Sequence, residues 1–134
     1  MQYWLIKSEP ESYSWENFEE KGVERWDGIR NFQARNNIKA MQNGDMVLFY
    51  HSGKDKAVIG LAQVAGEPYP EPENEDQWFS VDLKVLKKLK DSVSLVNIKS
   101  HPELANIALI KQSRLSVMPL KQREFQIIMD MGEK

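Results

Sequence analysis

The chain has no cysteine and only two histidines among 134 residues. Without cysteine there are no disulfides, no thiolate nucleophile and no Cys-ligated zinc. With His51 and His101 as the only imidazoles, a His-based metal centre is not expected, and no residue pattern calls for a cofactor. No apolar run approaches the roughly 20 residues that cross a bilayer, and MQYWLIKSEP lacks the basic and apolar regions of a secretory leader. The expectation is a cytoplasmic protein with no membrane partner. Phosphate loops, dinucleotide fingerprints and HExxH are also absent; GLAQVAG at 60–66 opens and closes on glycine without the required spacing. The one local nucleophile–base pair is His51 beside Ser52, and neighbours on a strand point to opposite faces. No catalytic residue is assigned, and binding is expected in place of catalysis. Positive charge is not in excess either: 18 Lys and Arg against 20 Asp and Glu leave a net charge of −2, which argues against a broad grip on duplex phosphates.

What is present is concentrated in RWDGIRNFQARNN, residues 25–37, with one tryptophan, three arginines and four amide side chains around Gly28. Trp26 offers a flat face for a base or an anchor for a loop. Gly28 permits close backbone approach, and Asn31 can cap a helix. Aromatic faces stack on bases at about 1–3 kcal/mol each, while amides and guanidinium groups read ring edges and phosphates. Charge is distributed unevenly. Residues 25–39 hold Arg25, Arg30, Arg35 and Lys39 against Asp27 alone, and residues 111–123 hold Lys111, Arg114, Lys121 and Arg123 with no acid, whereas residues 67–76 hold Glu67, Glu71, Glu73, Glu75 and Asp76 with no base. One face could therefore meet nucleic acid while the acidic loop stays in water.

The length fits one domain, 1–134. QYWLIK at 2–7 reads as a strand buried on both faces, and Ser14 can cap a short helix that presents Trp15 and Phe18 and stops at Gly22. A helix from Phe32 to Met41 places Ala34, Ile38 and Met41 on one stripe. MVLFYH at 46–51 and AVIGLAQVA at 57–65 should pair as a central hairpin, with Gly60 marking a bulge or the close approach of another backbone or a ligand. EPYPEPENEDQ, 67–77, reads as an exposed loop. Phe79, Val81, Leu83 and Val85 alternate with Ser80, Asp82 and Lys84, the clearest period of two in the chain. A helical turn at His101–Leu104, with Leu104, Ile107 and Ala108 inward, a strand at Leu115–Val117 and a helix over 120–131 closed by Gly132 follow. Short strands among short helices without a βαβ rhythm point to an α+β domain on a small curved sheet or barrel.

These elements resemble an EVE domain. The matching segments are YWLIKSEP at 3–10, Tyr13-Ser14, RWDGIRNFQARNN at 25–37, GDMVLFYHS at 44–52, IGLAQV at 59–64, Trp78 with Val81-Asp82, IKSHPEL at 98–104, and Leu115-Ser116-Val117 with Pro119. They run in family order along nearly the whole chain. The resemblance implies a PUA-like fold, a curved β-barrel with flanking short helices, similar to YTH domains, which read methylated adenine in RNA. It implies a non-enzymatic module that holds a modified base, in DNA or RNA, in an aromatic-lined pocket. By the same resemblance Lys7, Ser8 and Glu9 sit at the pocket mouth, Trp26 is a cage wall, and Asp27, Gly28 and Asn31 address the base edge. Arg30 and Arg35 either meet phosphate or brace Glu9 and Asp27, and Lys39 joins them as a phosphate contact. Tyr50 and His51 end a strand close to the mouth, where His51 is a hydrogen-bonding wall or a structural histidine. Tyr69, with Trp78 just beyond, is offered as the second aromatic wall.

A methyl group against aromatic faces removes apolar area from water at about 25 cal/mol per Å², so discrimination from one methyl is about 1–3 kcal/mol. A free modified nucleoside fits the same description. The alternative is thus a small-molecule or nucleotide sensor, or a hydrolase-like protein, using that pocket. The expected state is a monomer acting alone or with a separately encoded effector.

Overall fold

A computed structural model describes residues 1–72 and 77–134. Its elements in chain order begin with β1 (Tyr3–Ser8), α1 (Trp15–Lys21), β2 (Val23–Trp26), α2 (Phe32–Ala40), β3 (Met46–His51), β4 (Ala57–Val64) and β5 (Tyr69–Pro70). There follow β6 (Phe79–Ser94), α3 (Leu95–Ser100), a 3-10 turn (Pro102–Leu104), α4 (Ala108–Lys111), β7 (Val117–Leu120) and α5 (Gln122–Gly132). Among the described residues the strands form one mixed sheet in the order β2-β6-β4-β3-β1-β7, with β5 attached to β6. The α+β class and the flanking short helices are as expected. The sheet is an open path from β2 to β7, however, and does not close into a barrel.

β1 lies between β3, its parallel neighbour, and antiparallel β7. That position accounts for its apolar run: Trp4, Leu5 and Ile6 are buried although successive side chains point to opposite faces. The parallel pairing is locked at one end by Asp45, which is 2% exposed. It accepts from the Trp4 indole N–H at 3.0 Å and from the Gln2 and Gln42 backbone N–H groups at 3.1 and 3.0 Å. β3 and β4 pair antiparallel, as their turn chemistry predicts, with a register shift between Phe49 and Tyr50 opposite Gly60 and Val58.

Gly60 is therefore at a bulge, and the group approaching it is the Trp15 indole. A Cβ at Gly60 would lie 2.4 Å from the ring. α1 is set on the sheet by this contact and by its N-terminus. The Ser14 hydroxyl accepts from Asn17 N–H at 3.1 Å, and Asn17 Oδ1 accepts from Ser14 N–H at 2.9 Å, a capping box.

Several boundaries differ from those read in the sequence. β6 runs 16 residues, well past the alternating stretch, because it bends through register shifts against β4. Its outer face is not uniformly wet, since Ser80 is fully buried. β2, α3 and α4 carry too few periodic residues to stand out. The strand expected at 115–117 is Val117–Leu120, and the terminal helix ends on Gly132. Leu104 and Ile107 are buried and Ala108 half-buried. The acidic, proline-rich stretch is not simply a loop in water: Tyr69–Pro70 pairs with Phe79 and Ser80, and Glu71 is 4% exposed. Glu73, Glu75 and Asp76 lie outside the described residues.

Candidate functional site

A cleft of about 300 Å³ opens where the end of β1, the turn before α1 and the strand β2 converge, and Ser8, Tyr13, Glu24, Arg25, Trp26 and Asp27 line it. That is at the small end of ligand sites, the size for a base and not for a large cofactor. Its aromatic wall grows out of the core. Phe18 and Phe49 stack at 5.3 Å, and Trp15 meets each of them edge to face. Trp26 leans on Phe49 at 5.8 Å and 80°, and Tyr13 meets Trp26 at 5.8 Å and 72°. Trp26 is thus anchored on one side by fixed rings and half-buried, with the rest of its surface on the cleft. Both roles read for it in the sequence, core anchor and pocket wall, are combined in one side chain.

The polar lining is acidic, with Glu24 and Asp27 against Arg25. Glu24 accepts from the Lys21 ammonium at 2.9 Å. Burial pushes its carboxyl up, but Lys21 and the neighbouring Tyr13 hydroxyl outweigh this and hold it below the usual carboxylate range. Arg25 is 3.5 Å from Asp27 and 3.4 Å from the Ser80 hydroxyl, so neither contact is tight. The Tyr13 hydroxyl is shut off from solvent and makes no well-formed hydrogen bond among the described residues. Burial, then Glu24, pushes its pKa well up.

Of the mouth residues expected from the turn at 7–9, only Ser8 lines the cleft, with its hydroxyl donating to the Tyr13 carbonyl. Lys7 instead donates to the Ser113 carbonyl at 2.7 Å, and burial lowers its pKa. The Glu9 carboxylate lies against Gly53 and Ser52. His51 is absent from the cleft because both ring nitrogens are committed elsewhere: Nε2 accepts from Trp15 N–H at 2.9 Å, and Nδ1 faces Asp55 at 3.0 Å. Tyr50, 3% exposed, is a core residue. Gly28 has φ +76° with open space beside it, so the backbone conformation and not close approach requires glycine. Asn31 caps α2, accepting from Ala34 N–H at 2.9 Å, and sits outside the cleft.

The loop residues brace the structure. Arg30 pairs with Glu71 at 2.7 Å, where Glu9 or Asp27 had been expected as its partner, and Glu71 also accepts from Gly28 N–H at 3.2 Å. Burial pushes the Glu71 carboxyl up; Arg30 and Gly28 more than offset this and lower it. Tyr69 donates to Asp82 at 2.6 Å, and burial followed by that carboxylate pushes its hydroxyl up to about 12. Trp78 stacks on Phe32 at 5.0 Å and 19°, with Arg30 and Arg35 over its ring. Arg35 donates to the Gln77 carbonyl at 2.7 Å, and the Lys39 ammonium rests over Phe79 at 4.9 Å. Neither Tyr69 nor Trp78 is part of the cleft lining; the second aromatic there is Tyr13. Sequence reasoning missed Tyr13, Glu24 and Arg25 as site residues. Reading VERW as a strand would have placed Glu24 on the face of Trp26, two residues away.

The EVE domain family model matches residues 2–131. A protein of Rhodopseudomonas palustris is 41% identical and superposes with a TM-score of 0.94 over 98% of this chain and 93% of its own. Human thymocyte nuclear protein 1 is 32% identical over 98% of this chain and 74% of its own length. Its structure in complex with 5-methylcytosine-containing DNA superposes with a TM-score of 0.90, 31% identity and coverage of 100% of this chain and 99% of that one. A YTH domain from Zygosaccharomyces rouxii shares the fold, with a TM-score of 0.64 at 12% identity over 99% of this chain and 87% of its own. The fold is that of a mixed-sheet α+β module, and the chain belongs to the EVE domain family.

Proposed function

We propose that this protein is a non-enzymatic reader of a modified, methylated base, held against Trp26 and Tyr13 in the cleft at the β1–β2 junction. The observation that carries the reading is the likeness, over the whole of this chain, to the human relative solved with 5-methylcytosine-containing DNA. The cleft supports it physically. An aromatic wall fixed by Phe49 supplies a stacking face, and two carboxylates against one guanidinium favour the uncharged base end of a nucleotide over its phosphate. Base-binding roles are proposed for Ser8, Tyr13, Glu24, Trp26 and Asp27. A free modified nucleoside meets the same requirements, so the test includes both forms.

The experiment is a titration, followed by tryptophan emission and calorimetry, against modified and unmodified cytosine and adenine nucleosides and short single-stranded oligonucleotides. Saturable binding of a modified base, lost in Trp26→Ala, is expected. With Arg25 the single cation in the cleft lining and Arg30 paired to Glu71, the oligonucleotide salt slope should be shallower than about −3. Binding that ignores base modification, or that survives Trp26→Ala, counts against the reading.

A further inference from the structure

We infer that His51 is a pH-sensitive latch between β3 and α1: a proton on its Nε2 releases the Trp15 N–H and loosens the aromatic wall of the cleft, so the base-holding form carries a neutral His51. The inference rests on the base-reading function above and adds its regulation, while the response of the wall itself is read without ligand.

The tautomer is fixed by the two bonds the ring makes. Nε2 accepts from Trp15 N–H at 2.9 Å and therefore carries no proton, which leaves Nδ1 to donate to Asp55 at 3.0 Å. A neutral imidazole satisfies both partners and an imidazolium does not. Its second proton goes on Nε2, where a backbone donor already points. Two donors then face each other beside a ring that is 4% exposed, and the N–H at the first residue of α1 is left without an acceptor. Imidazole is the side chain that ordinarily changes charge between about pH 5 and 8.

The surroundings of the ring can receive that charge. His51 lines a second cleft, of about 350 Å³, with Glu16 of α1, Asp55 of the β3–β4 turn and Lys88, Lys90 and Asp91 of β6. Three carboxylates against two ammonium groups supply counter-charge for an imidazolium, and half-exposed Asp55 links the ring to solvent. Lys54 and Lys56 flank Asp55 in the turn. β1 and β4 pair uncharged Ser8 and Ala57 with His51, and Glu9, next along, is turned to Gly53. The contact that protonation removes is thus the one to Trp15.

The released element is the one that supports the cleft. Trp15 meets Phe18 and Phe49 edge to face at 5.5 and 5.3 Å, and these two rings pack against Trp26 at 6.5 and 5.8 Å. Two residues before Trp15 the chain supplies Tyr13, the second aromatic of the lining. The docked entry of α1 binds no proton at Nε2 and the released one does, so acid favours release. By linkage, a ligand that needs the intact wall binds more weakly as pH falls, and in return holds His51 neutral.

The test follows the isotope-labelled free protein by NMR from about pH 8 to 5.5. The His51 ring should start protonated at Nδ1 alone. As Nε2 gains its proton, the Trp15 amide and the Tyr13 and Trp26 ring signals should move with the same midpoint. His51→Gln offers Trp15 N–H an oxygen that takes up no proton in this range, and should abolish the shared transition. Asp55→Asn, which keeps the imidazole and removes its carboxylate, should lower the midpoint and serves if the glutamine variant folds poorly. A single-stranded oligonucleotide with one 5-methylcytosine should bind wild type at least about fivefold more weakly at pH 5.5 than at pH 7.5, and His51→Gln nearly equally at both. A His51 that stays neutral to pH 5.5, or that protonates without moving the Trp15 amide, overturns the inference. So does a shared transition that persists in His51→Gln. Absence of oligonucleotide binding at every pH counts against the base-reading function instead, and the free-protein spectra still decide whether His51 controls the wall.

Discussion

At Gly60 the absence of a side chain is a packing requirement, because the Trp15 ring occupies the space a Cβ would need. Trp15 is fully buried between Phe18 and Phe49 and has no room to withdraw. Gly60→Ala should therefore destabilise by overpacking, by about 1–3 kcal/mol. Urea unfolding reads this directly, and a midpoint equal to wild type would mean that the ring can shift. A second residue-scale effect concerns charge. Glu71 is buried, and its carboxyl is lowered because Arg30 and Gly28 outweigh the burial. A carboxylate with a depressed folded pKa contributes stability that is fully present above its unfolded value, about 4.3, and is lost as pH falls through the lower folded value. The Glu71→Gln protein should be less stable than wild type at neutral pH, and the difference should shrink below about pH 4. Thermal unfolding across pH 2.5–7 checks the sign, and a gap that widened toward acid would contradict it.

Among the elements, α1 shows how a residue placed by one strand sets the entry of a helix. His51, at the end of β3, accepts the N–H of Trp15, the first residue of α1 and one of the donors a helix leaves without an internal partner. The histidine is thus a cap supplied from across the fold. His51→Ala should cost about 1–3 kcal/mol by orphaning that buried donor. Because the Ser14–Asn17 capping box stays intact, amide exchange should quicken at Trp15 more than in β3. Uniform exchange through α1 and β3 would show that the bond does not hold the helix entry. Much at this scale was legible: the Ser14 and Asn31 caps, the Gly22 stop and the β3–β4 hairpin all rest on local rules that tertiary context did not override. β2 was not legible, since VERW carries no apolar alternation and is a strand only because β6 is long enough to pair with it. The parallel β1–β3 pairing was equally hidden, because no local pattern records which distant strand lies alongside.

Over the whole molecule, the cleft is lined from within residues 8–27, and its stability is shared with the core through the Phe49 ring of β3. Trp26 contacts Phe49 and Tyr13 at 5.8 Å each and Phe18 at 6.5 Å, so truncation removes packing as well as a stacking face. Trp26→Ala should lose ligand binding and about 2–4 kcal/mol of stability, less than for a fully buried tryptophan. Circular dichroism melting should still show one cooperative transition, and a molten, non-cooperative melt would make Trp26 a core residue first. The acidic patch and the basic stretch proved to be partners in part: Arg30 and Glu71, 41 residues apart, tie the loop after β2 to the segment after β5.

The sequence by itself determined the family, the α+β class and the main caps and turns, because these depend on local geometry and on residues close together in the chain. The tertiary structure decided which polar groups are free. Lys7, Arg30, Asn31, Arg35, His51 and Tyr69 all have the chemistry to meet a base or a phosphate, and each is engaged by a partner within the fold. Tyr13 lines the cleft, with its hydroxyl closed off from solvent beside Glu24. Hydrogen-bond satisfaction is a property of three-dimensional neighbours, and residue type alone carries no record of it.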